Sequence, residues 1–180
     1  SIPIACSGII AKVSMIVMAF VIGISQGLQP IVSFNYGAKK YGRVKKSYFM
    51  AIRISAVICV ISFVLFQAFP RQIISIFGNG SELYFDFGVN FFPKYLFFIC
   101  LCFMQPISAN FFTAIGKPKK GIFMSLTRQI IFLLPLLLIL PRFMGIDGVM
   151  YAGPIADLVA TIVCIILVVL EMRRPEFAKN

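Results

Sequence analysis

The chain has 180 residues, of which 60% are hydrophobic and only 13% charged, with a mean hydropathy of +0.96. A water-soluble domain is nearer 45–50% apolar and about 25% charged, and a soluble body of this size exposes too much surface to hide the excess. The composition therefore excludes an ordinary soluble domain and predicts an all-α integral membrane protein. The 17 Lys and Arg against 6 Asp and Glu give a net charge of +11. These cations sit in short clusters between apolar runs, which suits an anionic bilayer leaflet and not nucleic acid.

Five apolar runs are long enough to span: about 9–34, 48–69, 91–115, 122–140 and 149–170. Each holds the ~17–20 residues that cross a ~30 Å hydrocarbon core at helical rise. None alternates like a barrel strand, so helices are what satisfies the backbone in lipid. The first residue is Ser and no charged leader with a cleavage site precedes the first run, which predicts no signal peptide and leads us to expect residues upstream of Ser1. The punctuation follows in order: Tyr36 to Arg43 after the first span, Pro70-Arg71 after the second, a Gly78-Asn79-Gly80-Ser81 turn, Gly116 to Gly121 between third and fourth, and Pro141 to Gly148 between fourth and fifth.

Lys and Arg alternate across these connections. Lys39, Lys40, Arg43, Lys45 and Lys46 lie in the first, Lys117, Lys119 and Lys120 in the third, and Arg173, Arg174 and Lys179 in the tail. The other two carry only Arg71 and Arg142, accompanied by Glu82, Asp86 and Asp147. Five spans with that asymmetry predict a multi-pass cell-membrane protein with its C-terminus in the cytoplasm. Residues 1–172 are expected to form one membrane unit and 173–180 a cytoplasmic tail.

Polar residues inside the spans are the candidate functional groups. Gly27-Leu28-Gln29-Pro30 interrupts the first span, and Ser33, Asn35 and Tyr36 follow. Gln29, Ser33 and Tyr36 share a helix face, which could line a polar cavity or serve as interhelical hydrogen-bond glue. In the third span Gln105 and Ser108 share a face, with Asn110 turned away. Around them lie Phe91, Phe92, Tyr95, Phe97, Phe98, Phe103, Phe111 and Phe112, either a wall for lipophilic cations or lipid-facing filler.

Asp157 is the most informative residue. It is the ninth of the last span, about 12 Å in from the outer end at helical rise. An ionised carboxylate near the bilayer centre costs about 2.5–3.5 kcal/mol on insertion scales, so it should face protein or water. Pro154, three residues earlier, can kink the helix. Asp157 is either a proton or cation site for ion coupling, or a structural carboxylate paired with Lys12, Arg53 or Arg128 or hydrogen-bonded to its neighbours.

Lys94 and Arg142 near span ends should snorkel. The chain has no His, and its cysteines (Cys6, Cys59, Cys100, Cys102 and Cys164) all fall inside apolar runs as small hydrophobes. There is no metal-ligand spacing, no cofactor motif, no nucleophile triad and no phosphate-cradling loop, so an enzyme is not expected.

The stretch G-I-S-Q-G-L-Q-P-I-V-S-F-N-Y-G-A-K-K-Y-G-R-V-K-K from Gly23 to Lys46 resembles the multidrug and toxic compound extrusion (MATE) family, most closely its MepA-like branch. Three further stretches keep the family's order and spacing: Gln105 to Lys120, Arg128 to Pro141, and G-P-I-A-D from Gly153 to Asp157. The resemblance implies a twelve-helix transporter with two six-helix lobes around a central cavity, working by alternating access. This chain would match the eighth to twelfth helices, five spans forming most of one lobe, with the N-terminal lobe as its missing partner. The implied activity is export of lipophilic or cationic small molecules in antiport with H⁺ or Na⁺, with no bound cofactor. The family's main coupling carboxylate is on the first helix, outside this chain. Some branches carry an acid on the tenth helix, but the interior of this third span has no Asp or Glu, which counts against a Na⁺ site in this lobe. Two rival functions are a lipid-linked oligosaccharide flippase of related fold, favoured by a cavity lined with Arg and Lys, and a non-transporting membrane subunit, favoured by small-residue helix faces without a polar cavity.

Overall fold

A computed structural model describes residues 2–77, 103–144 and 146–178. Among them every regular element is a helix: α1 (Ile2–Gly37), α2 (Tyr41–Ala68), α3 (Pro70–Phe77), α4 (Met104–Ala114), α5 (Pro118–Leu126), a π-helical segment (Thr127–Leu133), α6 (Leu134–Met144), α7 (Ile146–Met172) and α8 (Pro175–Ala178). Four helical stretches are long and apolar enough to cross a membrane: Ala11–Gly37, Tyr41–Ala68, Pro118–Phe143 and Ile155–Met172. They overlap the first, second, fourth and fifth expected spans. Of the third, α4 occupies the C-terminal portion, while 91–102 lies outside the described residues, as do the 78–81 turn, Glu82, Asp86, Lys94, Cys100 and Cys102.

Between 11% and 33% of each span is buried, and Phe20, Val57, Val64, Leu138 and Ile166 all stand largely exposed. Helices this apolar and this bare need hydrocarbon as their solvent. What they do bury is a seam at helical spacing. Val13, Val17, Val21, Leu28 and Val32 of α1 meet Val44, Tyr48 and Ala51 of α2 and Ile107, Phe111 and Phe112 of α4. α1 packs along α2 and α4; α4 in turn holds α5, and α7 closes on the π-helical segment, α6 and α4.

Two expected breaks are absent. α1 runs through Pro30 without interruption, and α6 runs through Pro141 to Met144, so the expected Pro141 to Gly148 connection contracts until α7 begins at Ile146. A proline removes one N–H and frees one carbonyl, and in a membrane helix breaking the whole turn would expose far more unsatisfied backbone than that. Other prolines sit where the missing N–H is harmless: Pro70 and Pro175 each open a helix, Pro118 begins α5, and Pro106 is in the first turn of α4.

Two helix ends close alike. After α4 the Lys117 amide bonds the Phe112 carbonyl (2.9 Å) and the Gly116 amide the Thr113 carbonyl (3.1 Å), with Gly116 at φ +75°. After α1 the Lys40 amide bonds the Asn35 carbonyl (2.9 Å) and the Lys39 amide the Tyr36 carbonyl (3.0 Å), but the left-handed position is Lys39 at φ +57°. Only glycine takes that conformation without steric cost. Gly116→Ala should therefore destabilise by about 1 kcal/mol and Lys39→Gly stabilise by about 0.5 kcal/mol. Opposite shifts in detergent thermal unfolding would confirm both; equal signs would refute the assignment. Gly121 answers a different need: a Cβ there would meet the Ala109 carbonyl oxygen at 2.7 Å, so α4 and α5 touch backbone to backbone.

Candidate functional site

Several polar residues of the α1–α2–α4 seam bridge its helices in pairs. Asn110 Nδ2 donates to Ser25 Oγ (2.6 Å), and Ser25 Oγ donates to the Pro106 carbonyl (2.8 Å). Tyr48 Oη and Ser108 Oγ share a hydrogen bond of 2.7 Å, both side chains buried, with the Tyr48 ring 4.7 Å from that of Phe111. Gln105 points to a third neighbour, its Nε2 donating to the Met124 carbonyl of α5 at 2.9 Å. Gln105 and Ser108 therefore do not act as one face; Asn110, expected to turn away, joins the seam. All three bridge helices, the use for which polar side chains in membrane bundles are best suited. Tyr48→Phe strands only a Ser hydroxyl and should cost about 1 kcal/mol, read as a lower unfolding midpoint.

The residues of the first span divide in the same way. Ser33 Oγ donates to the Ala114 carbonyl (3.0 Å), Asn35 Nδ2 to the Ile31 carbonyl one turn back (2.8 Å), and Tyr36 Oη to Glu176 Oε2 (3.3 Å). Gln29 is half-buried beside them. The open side of α1 carries instead Gln26 with Gly23 and Gly27, around whose Cα atoms there is free space. Gln26 is not among the sequence candidates, although an uncharged polar residue between two span glycines is a usable signal.

Phe103, Phe111 and Phe112 are packed in the lobe's core, 0–8% exposed, so these three are not a wall facing a cavity. Phe91, Phe92, Tyr95, Phe97 and Phe98 lie outside the described residues. Cys59 and Cys164 are buried thiols in the helix packing.

Asp157 is ion-paired. Arg128 Nε donates to Asp157 Oδ1, with the Arg side chain 31% and the Asp side chain 11% exposed. Of the three partners open from sequence, Arg128 is the one in contact. It stands in the π-helical segment, where the Leu134 amide reaches back five residues to the Gln129 carbonyl. The cause is Pro135, which can donate no hydrogen bond and crowds the carbonyl one turn earlier; a wider turn just before it relieves the clash. α7 passes unbroken through Gly153 and Pro154 to present Asp157, and Thr161 Oγ1 donates to the Asp157 carbonyl (2.7 Å).

A second buried carboxylate has no counterpart among the sequence candidates. Glu171, at the end of α7, has no exposed surface and is held by Lys117, by Lys120 (2.6 Å) and by Arg174 (3.3 Å). Lys120 Nζ also stands 5.6 Å from the Phe112 ring centre. Next to this cluster Phe177 of α8 is buried against Tyr36 and Tyr41, with ring centres 6.1 and 5.5 Å away. The first and third connections and the residues after α7 are thus tied together at one end of the lobe. A lone acid within Leu170-Glu171-Met172-Arg173-Arg174, facing loops rich in lysine, is the signal that could have found it.

The family described as MatE matches residues 1–139 of this chain. The chain belongs to that family. Among solved structures, the MATE multidrug transporter DinF-BH is 34% identical, with a TM-score of 0.83 over 96% of this chain and 38% of its own. An outward-facing multidrug resistance MATE family transporter of the MOP superfamily shares the fold at 18% identity and a TM-score of 0.84, covering 93% of this chain and 38% of that one. A FAD transporter of Shewanella oneidensis is 21% identical over 168 residues, 89% of this chain and 35% of its own. This MatE chain therefore spans little more than a third of the length of the relatives it matches, and its fold matches part of one lobe of the multi-pass MATE fold.

Proposed function

We propose that this MatE chain supplies most of one lobe of a multidrug efflux transporter that exports lipophilic or cationic compounds in antiport with H⁺ or Na⁺. The observation that carries this reading is the 34% identity, over 96% of the chain, with a solved multidrug transporter. The remaining length of the relatives corresponds to the other lobe and the rest of the cavity, so transport belongs to the complete protein. The open side of α1, with Gln26, Gly23 and Gly27, is the described surface best suited to face a cavity, because its polar group is not committed to holding helices together. Gln29 borders it, while Ser33, Asn35, Tyr36, Gln105, Ser108 and Asn110 act chiefly in packing.

Among the described residues, Asp157 is our candidate for the acid that senses a coupling ion. Its charge is matched by Arg128, so a proton or cation would bind there only as the pair opens, and opening would be the conformational event that coupling requires. The basic connections and the C-terminus lie on the cytoplasmic side of the cell membrane in this reading. A membrane-impermeant maleimide applied to intact cells should fail to label Lys119→Cys, and labelling would reverse the topology.

The deciding experiment loads vesicles carrying the full-length transporter with ethidium and imposes a proton or Na⁺ gradient. Gradient-dependent movement of ethidium is expected; no movement of any lipophilic cation under either gradient would overturn the proposal. A second reading, an anionic dinucleotide cargo, is favoured by the likeness to the FAD transporter and by the excess of cations. Uptake of FAD in place of ethidium in the same vesicles would establish it.

A further inference from the structure

The corner where α1 turns into α2 carries a cationic surface whose Arg43, Lys46 and Arg53 take no part in the ion pairs described above. From Ala38 to Arg53 the chain has Lys39, Lys40, Arg43, Lys45, Lys46 and Arg53 and not one Asp or Glu. Among the described residues, no ion pair involves Arg43, Lys46 or Arg53; the ion-paired acids Asp157 and Glu171 are bound to Arg128 and to Lys117, Lys120 and Arg174.

Two adjoining hollows open here. One, of ≈ 290 Å³, is lined by Lys46, Phe49, Met50 and Arg53. The other, of ≈ 310 Å³, is lined by Asn35, Arg43, Lys46, Ser47 and Met50. Positions 46, 50 and 53 recur at helical spacing, so the cations bracket an apolar floor on one face of α2. That face continues as Val57, Val60 and Val64, which are 52–56% exposed. From Arg53 to Val64 the helix rises about 16 Å, close to half of a ~30 Å hydrocarbon core.

We propose that this corner is a binding site for an anionic phospholipid of the adjacent leaflet. Its phosphate lies between Arg43, Lys46 and Arg53, with Ser47 and Asn35 as polar edges, and one acyl chain runs over Met50 along the valine face. The charge pattern selects the occupant. A zwitterionic lipid brings its own cation into a group of three cations, whereas an anionic headgroup neutralises them. Arg53, about two turns deeper than Lys46, reaches the headgroup by extending its apolar stem along the helix. A free phosphate would satisfy the cations but leave the exposed Phe49, Met50 and valine row without a role. The inference is independent of which solute is carried.

The test uses the detergent-solubilised full-length protein and native mass spectrometry with phosphatidylglycerol, phosphatidylcholine or inorganic phosphate. Wild-type protein should retain phosphatidylglycerol at least about tenfold more strongly than phosphatidylcholine, and millimolar inorganic phosphate should not displace it. Arg43→Gln/Lys46→Gln/Arg53→Gln should abolish that preference, while the charge-matched Lys39→Gln/Lys40→Gln/Lys45→Gln should keep it. Equal retention of the two lipids by the wild type, displacement by inorganic phosphate, or equal loss in both triple variants would each overturn the proposal. The wild-type comparison decides the matter alone should the first triple variant not fold.

Discussion

Replacing Glu171 by Gln is expected to lower the stability of the lobe by about 3 kcal/mol, and more than removing either lysine that binds it. Glu171 is fully buried, whereas the Lys117, Lys120 and Arg174 side chains are 23%, 36% and 46% exposed. Loss of one lysine leaves two cations on the carboxylate, and the freed partner is partly wet, so Lys117→Ala or Lys120→Ala should cost about 1 kcal/mol each. Loss of the negative charge instead leaves three cations converging on a neutral amide. Because the same cluster ties the third connection to the residues after α7, its failure should also free Phe177 from Tyr36 and Tyr41. A thiol-reactive dye that reports exposure of the buried Cys59 and Cys164 during heating measures the effect. A midpoint for Glu171→Gln no lower than that for Lys117→Ala would show that the carboxylate is not the hub.

The second large effect is expected at the pair inside the membrane. Asp157→Asn takes from the Arg128 guanidinium, 31% exposed, the carboxylate it donates to, and Arg128→Gln takes that guanidinium from Asp157. Each should cost about 3 kcal/mol. The double variant should cost less than the sum by about 2 kcal/mol, because the two opposite charges are removed together. The same variants separate structure from coupling. With Asp157 as the ion-sensing acid, the double variant loses less stability than the two single variants added together but shows no gradient-driven efflux. Gradient-driven efflux retained in the double variant would reduce the pair to a tie between the π-helical segment and α7.

The spans are legible in the sequence because hydropathy is a local sum. A run such as 48–69 needs lipid whatever lies next to it, and α2 indeed covers it, beginning at Tyr41. Alternation of charge between connections is legible for the same reason, and the structure brings the basic first and third connections and the C-terminal residues to one end, as that alternation requires. The prolines mislead. Pro30 and Pro141 read as breaks because their local penalty is real, but a helix in lipid cannot give up its backbone hydrogen bonds to recover it. The polar residues mislead in part as well: Gln105, Ser108 and Asn110 stand out in sequence, but sorting them by helical face fails because each answers to a different neighbour, Met124, Tyr48 and Ser25.

The amino-acid sequence alone determined that this chain lives in a bilayer as helices, roughly where each begins, and to which family it belongs, since these depend on composition and on order along the chain. Only the tertiary structure decided that Arg128 is the partner of Asp157, that Glu171 is the centre of a buried charge cluster, and that three phenylalanines are core. Those outcomes depend on which side chains from segments 29 to 54 residues apart reach one another, and no sum over neighbours in sequence contains that distance.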